Sequence, residues 1–219
     1  MYRIAVLASG RGSNLQALLR AIDAGAVRAR VAGVFSDRPD CAALRIAREA
    51  GLHVASHLPR DHADRDAHDA ALFGAVAAVQ PDLIVFAGYL RIVGAAALAR
   101  FENRMLNIHP SLLPKYPGLH THARALAAGD AVHGASVHSV IPALDAGPVL
   151  AQVRIPVRPG DDADALAARL LPREHALLTA AVALLADGRV TMHPDHVELD
   201  GRRLAAPLQL DDHDRLTGA

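Results

Sequence analysis

Short apolar runs alternate with amphipathic segments along the first half of the chain. Branched residues dominate the runs, while apolar positions recur every three or four residues between them, so the runs predict strands and the segments predict helices. The predicted strands are 3–8, 31–35, 53–55, 83–87 and 105–108, and the predicted helices are 15–24, 42–50, 65–79 and 93–100. This alternation predicts an α/β fold, with an open, twisted, mostly parallel sheet and helices on both faces.

The pattern changes in the second half of the chain. Two longer apolar runs, 135–141 and 149–157, predict strands. A long helix is predicted over 161–186, with Asp161 or Asp162 able to accept a hydrogen bond from its first turn.

The end of the chain contains turn signals. Residues 189–204 are centred on Asp200-Gly201, a pair typical of tight hairpin turns, and they predict a C-terminal hairpin. The polar tail from Asp211 predicts a frayed end.

The amino-acid composition excludes several classes of protein and of binding site. The 219 residues are 52% hydrophobic and carry no net charge, so we expect one domain and no general affinity for nucleic acid. Lys115 is the only lysine. Cys41 is the only cysteine, which excludes an intramolecular disulfide and a cysteine-based zinc cage. No signal-peptide pattern or membrane-length apolar run is evident, so we expect a cytoplasmic protein with no membrane contact.

One apolar strand predicts a polar pair on a single face. Asn107 and His109 stand two residues apart, and side chains at that spacing in a strand point the same way. The amide is a neutral donor and the imidazole a titratable acid or base, so together they can act on one small group. Three prolines and Gly118 follow and predict a stiff, shaped loop. The alternative is an edge strand whose Asn and His cap a turn.

The first strand leads into a glycine-rich turn. Gly12, Ser13 and Asn14 precede a predicted helix, where free amides and the helix dipole favour an anion. Leu15 stands where a dinucleotide fingerprint has its third glycine, so a single phosphate fits better than a pyrophosphate. Two alternatives remain open: a plain turn capped by Ser13 or Asn14, and a nicotinamide-dependent module that uses Asp37 at the end of the second strand.

Two further polar elements have functional and structural interpretations. Asp145 lies in a Gly-Pro turn and is either a solvated turn residue or, if the fold brings it to the strand ends, an ion-pair partner that raises the pKa of His109. His120 and His122 could form half of a metal site, but no further spacing completes it. These two, like His133 and His138, therefore fit a polar cleft or a loop better.

These elements, in this order, resemble the phosphoribosylglycinamide formyltransferase family, folate-dependent enzymes of purine biosynthesis. The resemblance covers nearly the whole chain. Relatives that act on formyl-methionyl-tRNA or hydrolyse formyl-folate share Asn-x-His and the distant Asp, but they lack the Pro-Gly-Leu-His-Thr-His continuation. The matching segments are Gly10-Arg11-Gly12-Ser13-Asn14-Leu15-Gln16, Gly88-Tyr89-Leu90-Arg91-Ile92, residues 107–122, Leu144-Asp145-Ala146-Gly147-Pro148 and Arg173-Glu174-His175.

The resemblance implies a role for each site residue. It implies a Rossmann-like formyltransferase fold over 1–219, with a mononucleotide-binding-like half at 1–103 and a catalytic and folate-binding half at 104–210. It also implies a cis peptide at Leu113-Pro114. The implied catalytic residues are Asn107, His109 and Asp145. The implied substrate-binding residues are Gly12, Ser13, Asn14 and Glu174. The implied folate-binding residues are Arg65, Leu90, Arg91, Ile92, Val93 and Asn107.

The implied reaction is formyl transfer from 10-formyltetrahydrofolate, as co-substrate, to the amine of glycinamide ribonucleotide. We expect no metal, and a monomer or homodimer whose partners are these small molecules. Two alternatives stay open: a formyl-folate hydrolase, in which water replaces the amine, and a nucleotide-binding or nicotinamide-dependent module.

Overall fold

A computed structural model of the chain describes residues 1–218. It is an α/β fold with a mostly parallel central sheet flanked by helices, which confirms the predicted fold class. The helices are α1 Ser13–Asp23, α2 Ala42–Glu49, α3 Arg65–Ala78, α4 Ala95–Arg100, α5 Thr121–Ala127 and α6 Ala163–Ala186. The strands are β1 Tyr2–Leu7, β2 Ala29–Ser36, β3 Val54–Ser56, β4 Leu83–Phe86, β5 Met105–His109, β6 Val132–Ser139, β7 Val149–Pro156, β8 Val190–Met192, β9 Val197–Leu199, β10 Arg202–Arg203, β11 Leu208–Leu210 and β12 Leu216–Thr217.

The chain forms two compact units, Met1–Asn107 (unit 1) and the residues from Ile108 on (unit 2). In unit 1 the strand order is β3-β2-β1-β4-β5, and every pairing is parallel. All four residues of β4 are buried, as expected for a central strand covered on both faces. Because β1 lies between β2 and β4, the loops after β1 and β4 leave the same edge where the strand order reverses, the usual position of a ligand crevice.

Unit 2 is built around the antiparallel pair β6–β7. Strand β11 adds to β7 in parallel, and β12 adds to β11 in antiparallel orientation. Helix α6 packs on β6 and β7 with a row of buried leucines. Of the two predicted capping residues, Asp162 caps this helix, because its side chain accepts a hydrogen bond of 2.7 Å from Ala165 N–H.

The C-terminal region is more ordered than the sequence predicts. The predicted hairpin is present, but it extends to the three-stranded antiparallel sheet β8-β9-β10. The predicted frayed tail is wrong up to Thr217, because Leu216–Thr217 pairs with β11 and Asp211 accepts hydrogen bonds from the backbone N–H of His213 and Arg215. Ala219 lies outside the described residues. Within residues 1–218, no helix has the combined length and apolar character that crossing a membrane requires.

Candidate active site

The carboxyl end of β5 carries the predicted polar pair. Asn107 and His109 lie two residues apart on this strand and therefore share a face. His109 is buried, with 6% of its surface exposed, whereas Asn107 is half-buried. A buried imidazole at a strand end has restricted contact with water, so its neighbours determine its chemistry.

His109 lies between a carbonyl and a carboxylate. Its Nε2 lies 2.9 Å from the Tyr116 carbonyl oxygen, which can only accept, so this nitrogen donates. Its Nδ1 lies 3.4 Å from Asp145 Oδ2. The same carboxylate accepts a hydrogen bond of 2.8 Å from Gly118 N–H, and its Oδ1 lies 3.6 Å from His138 Nε2. The structure thus brings Asp145 to His109, as the ion-pair interpretation predicts.

Burial and charge act against each other in this pair. Burial lowers the pKa of His109, and although the Tyr116 hydrogen bond and the Asp145 charge raise it, the net pKa is below 6.5. For Asp145, burial raises the pKa, but the contacts with His138, Gly118 and His109 outweigh burial and the net pKa is lowered. Asp145 therefore raises the imidazole pKa as expected, but the resting state at neutral pH is a carboxylate beside a neutral imidazole.

The loop after β5 is held by buried side chains of the β6–β7 hairpin. Ser136 Oγ accepts from Leu113 N–H at 3.0 Å and donates to the Ser111 carbonyl at 2.7 Å. Gln152 Nε2 donates to the Leu113 carbonyl at 2.9 Å and to Ser136 Oγ at 3.0 Å. The Leu113-Pro114 peptide is cis, which confirms the prediction. The loop is therefore shaped by its prolines and by a hydrogen-bond network.

Sequence reasoning missed several of these participants. His138 appeared only as a histidine of a cleft or loop, yet it lies in β6 beside Asp145. Only nine residues join β6 to β7, and they include Asp145. This short connection is the sequence signal that could have placed Asp145 near His138, at the end of β6. Helix α5 was not predicted at all, and it places His122 Nδ1 3.0 Å from His133 Nε2. His122 therefore bonds a second imidazole from β6.

The glycine-rich turn after β1 has an open helix start. Gly12 is the N-cap of α1 with φ +77°, and no side chain caps the helix, so the plain capped turn is wrong. A Cβ at Gly12 would lie 2.7 Å from the Ala43 Cα, so only glycine fits. The first amides of a helix have no acceptor within it. The amides at Ser13 and Asn14 therefore start a helix whose dipole favours an anion.

Hydrogen bonds to side chains hold both ends of the segment after β4. Leu90 N–H donates to Ser9 Oγ at 3.1 Å, and Gly94 N–H donates to Asp69 Oδ2 at 2.7 Å. Between these anchors, the side chains of Leu90 and Ile92 are 58% and 57% exposed. This arrangement offers an apolar, solvent-facing surface on a fixed backbone, which suits a flat aromatic ligand.

The remaining predicted residues lie as follows. Arg65 is the first residue of α3. Its Nε lies 3.9 Å from where a Cβ would stand on Gly94, so Arg65 is beside the segment after β4. Glu174 is buried in α6. Asp37 accepts a hydrogen bond of 2.6 Å from Ser9 Oγ and is buried, which opposes a ribose-binding role for it in a nicotinamide module.

The chain is similar to proteins of known name along most of its length. The family described as formyl transferase matches residues 2–182. A phosphoribosylglycinamide formyltransferase of Escherichia coli (strain K12) is 44% identical over 201 residues, covering 92% of this chain and 95% of that protein. One of Mycobacterium tuberculosis (strain ATCC 25618 / H37Rv) is 50% identical over 190 residues, covering 87% of each. The crystal structure of glycinamide ribonucleotide transformylase 1 from Symbiobacterium toebii superposes with a TM-score of 0.88 at 43% identity, covering 91% of this chain and 94% of that one.

Proposed function

The chain belongs to the formyl transferase family, and we propose from that premise that it transfers the formyl group of 10-formyltetrahydrofolate to the amine of N1-(5-phospho-D-ribosyl)glycinamide. The products are the N2-formyl ribonucleotide and tetrahydrofolate, and the step belongs to de novo purine (IMP) biosynthesis. The observation that carries the proposal is the buried His109 at the end of β5, which is paired with Asp145 and shares a strand face with Asn107. Its relatives named for this reaction support the choice of substrates.

The phosphate of the ribonucleotide would bind at the start of α1. Gly12 admits close approach of an oxyanion, and the amides at Ser13 and Asn14 can donate to it. A helix start neutralises part of one phosphate charge without a lysine or a metal. Glu174 would contact the sugar or the glycinamide part, as the family resemblance implies.

The folate would bind along residues 90–93. The backbone of Leu90, Arg91, Ile92 and Val93 would read the amide-like edge of the pterin, and the exposed Leu90 and Ile92 side chains would cover its ring. Arg65, beside this segment, would bind the carboxylate-bearing tail, because its planar guanidinium can donate two parallel hydrogen bonds to a carboxylate.

The chemistry requires donors for a developing oxyanion. The substrate amine attacks the formyl carbon, a carbon–nitrogen bond forms, and negative charge gathers on the formyl oxygen until the bond to N10 breaks. Asn107 would donate a hydrogen bond to that oxygen, and His109 would donate a second one from Nε2 in place of its bond to the Tyr116 carbonyl. Such hydrogen bonds contribute most to reactions of this kind. Asp145 would favour the imidazolium form as the charge develops and would relay the proton of the amine toward N10, directly or through water.

The proposal extends to metal use, location and oligomeric state. We infer that the transfer needs no metal, because Asn107 and His109 would stabilise the negative charge on the formyl oxygen. We also infer that the chain acts in the cytoplasm, as a monomer or homodimer, on small molecules alone.

The test separates a transferase from a hydrolase. Both would polarise the formyl group with the same side chains, so deformylation of 10-formyltetrahydrofolate by the purified chain is measured with and without glycinamide ribonucleotide. A transferase depends on the added ribonucleotide, because its anchored amine reacts as if intramolecularly. Equal rates in both mixtures, with free formate as product, would replace the transferase by the hydrolase.

A further inference from the structure

The turn between β8 and β9 collects two imidazoles and a carboxylate. Glu198 lies between the two histidines, with its Oε2 3.5 Å from His193 Nε2 and its Oε1 3.4 Å from His196 Nε2. One nitrogen or oxygen atom from each residue lies within 4.8 Å of the others. The two rings stack with centroids 4.2 Å apart and an angle of 5° between their planes. The site described above uses none of these residues.

The backbone holds this group in place. His193 N–H donates to the His196 carbonyl at 2.9 Å and closes the turn, in which Pro194 restricts φ. Met192 and Val197 are paired immediately on either side of the turn. The three side chains therefore project from a tight hairpin, and bringing them together requires little further ordering of the chain.

A neighbouring carboxylate sets the tautomer of one imidazole. Asp195 Oδ1 lies 2.8 Å from His196 Nδ1, and Arg203 Nη2 lies 3.7 Å from Asp195 Oδ2. Because a carboxylate accepts, Nδ1 of His196 carries a proton in this shorter contact. A metal ion would therefore bind at Nε2, which lies 3.4 Å from Glu198 Oε1. Metal-binding histidines usually make such a hydrogen bond through the nitrogen that does not bind the metal.

The second imidazole presents a nitrogen that the protein does not satisfy. His193 Nε2 is buried and has no hydrogen-bond partner among the described residues. It lies 3.5 Å from Glu198 Oε2, a distance longer than a normal hydrogen bond. A buried polar atom without a partner is costly, and a cation between these atoms would satisfy the nitrogen and the carboxylate together.

We propose that His193, His196 and Glu198 bind one divalent transition-metal ion, Zn²⁺ by preference, with water completing the coordination. Two imidazoles and one carboxylate are a ligand set that zinc accepts. At zinc–ligand bonds of about 2.1 Å, ligand atoms of a tetrahedral ion lie about 3.4 Å apart, which matches both distances to Glu198. The imidazoles must splay from their parallel stack for their nitrogens to reach this spacing.

The bound ion would have a structural effect. It would join the end of β8 to β9 within a sheet of short strands, and it touches no residue assigned to formyl transfer. Its presence or absence is therefore independent of the proposed function.

The experiment titrates the full chain with Zn²⁺ after removal of metals by a chelator. Calorimetry should show one ion per chain, and at free Zn²⁺ about 100 times Kd the melting temperature should rise by about 5–10 °C. The His193→Gln/His196→Gln double variant should lose this binding, and Glu198→Gln should weaken it at least about tenfold, one lost charged ligand being worth at least that factor. His213→Gln, which removes an exposed histidine elsewhere, is the matched control and should bind as the wild type does.

Cobalt provides a second measurement that needs no variant. Co²⁺ added to the metal-free wild type should develop the visible absorption of a four-coordinate ion, and Zn²⁺ should displace it. Absence of that band, absence of Zn²⁺ binding by the wild type, or unchanged affinity in the double variant or in Glu198→Gln would overturn the site.

Discussion

The turn at Gly12 in unit 1 and the His109–Asp145 pair in unit 2 provide binding groups of opposite kinds. The turn offers backbone amides, and its shape depends on one left-handed glycine packed against Ala43. The pair offers a buried imidazole and a carboxylate that is 10% exposed, and the protonation of each depends on burial and on the other. Under the proposed function, the Gly12 turn would hold the substrate through backbone conformation, whereas the His109–Asp145 pair would act through charge.

The strongest test of this comparison removes charge in unit 2 without changing shape. Asp145→Asn should lower kcat by about 10²- to 10⁴-fold, the usual contribution of a positioned acid or base, with little change in the KM of either substrate. Asp200→Asn, which removes an exposed carboxylate paired with Arg189, should keep normal kinetics. Near-normal turnover of the Asp145 variant would remove that residue from the mechanism.

The next test changes backbone conformation in unit 1 without changing charge. Gly12→Ala adds a Cβ 2.7 Å from the Ala43 Cα at φ +77°. The left-handed conformation alone costs about 1–2 kcal/mol, so the KM for the ribonucleotide should rise roughly 10-fold or more while the folate KM is kept. Gly10→Ala is the matched control, because no atom lies within 4 Å of where its Cβ would stand. If both variants behaved alike, the local geometry would not be the cause.

A third test uses pH to probe the charges of unit 2. Burial, and the neighbouring His122, lower the pKa of His133 to about 4. Between pH 6.5 and this value the unfolded chain binds a proton that the folded chain does not, so acidification destabilises the fold. From pH 7.5 to 5, this imidazole alone should cost about 2 kcal/mol. In urea unfolding, the free energy of unfolding of His133→Gln should fall by about that much less than that of the wild type between these two pH values. An equal fall in both proteins would contradict the low pKa of His133.

The smallest expected effect concerns the segment after β4, where we propose that the folate binds. Asp69 is 3% exposed, accepts from Gly94 N–H and lies 3.1 Å from His68 Nδ1. Asp69→Asn weakens a charge-assisted hydrogen bond by about 1 kcal/mol, so the KM for 10-formyltetrahydrofolate should rise roughly 5-fold with kcat kept. Asp23→Asn, which changes an exposed carboxylate at the end of α1, is the control. A lowered kcat in the Asp69 variant would instead point to a role in the chemistry.

Much of the fold could be predicted because its signals are local. Strands β1 and β4 are apolar without alternation, as covered parallel strands must be, and the segments between the strands repeat every three to four residues. Asn107-x-His109 was predictable for the same reason, since two residues on one strand share a face whatever surrounds them.

The remaining features depend on pairings between distant residues. Ser136 and Gln152 are direct cross-strand partners, and only this register places both of them against Leu113. His120 is the N-cap of α5, with φ +60° and no capping hydrogen bond from its side chain, so the usual sequence signal for a helix start is missing. Strand β11 has three residues, too few for a period to be read, and its pairing with β7 provides its stability.

The hydrogen bonds between the loop and the β6–β7 hairpin have a consequence for folding order. Leu113 obtains both of its backbone partners from Ser136 and Gln152, which lie 23 and 39 residues further along the chain. These contacts cannot form until the two strands have paired in register. The loop after β5 should therefore be completed late in folding, and it should open by partial unfolding at a lower free energy than the parallel strands of unit 1.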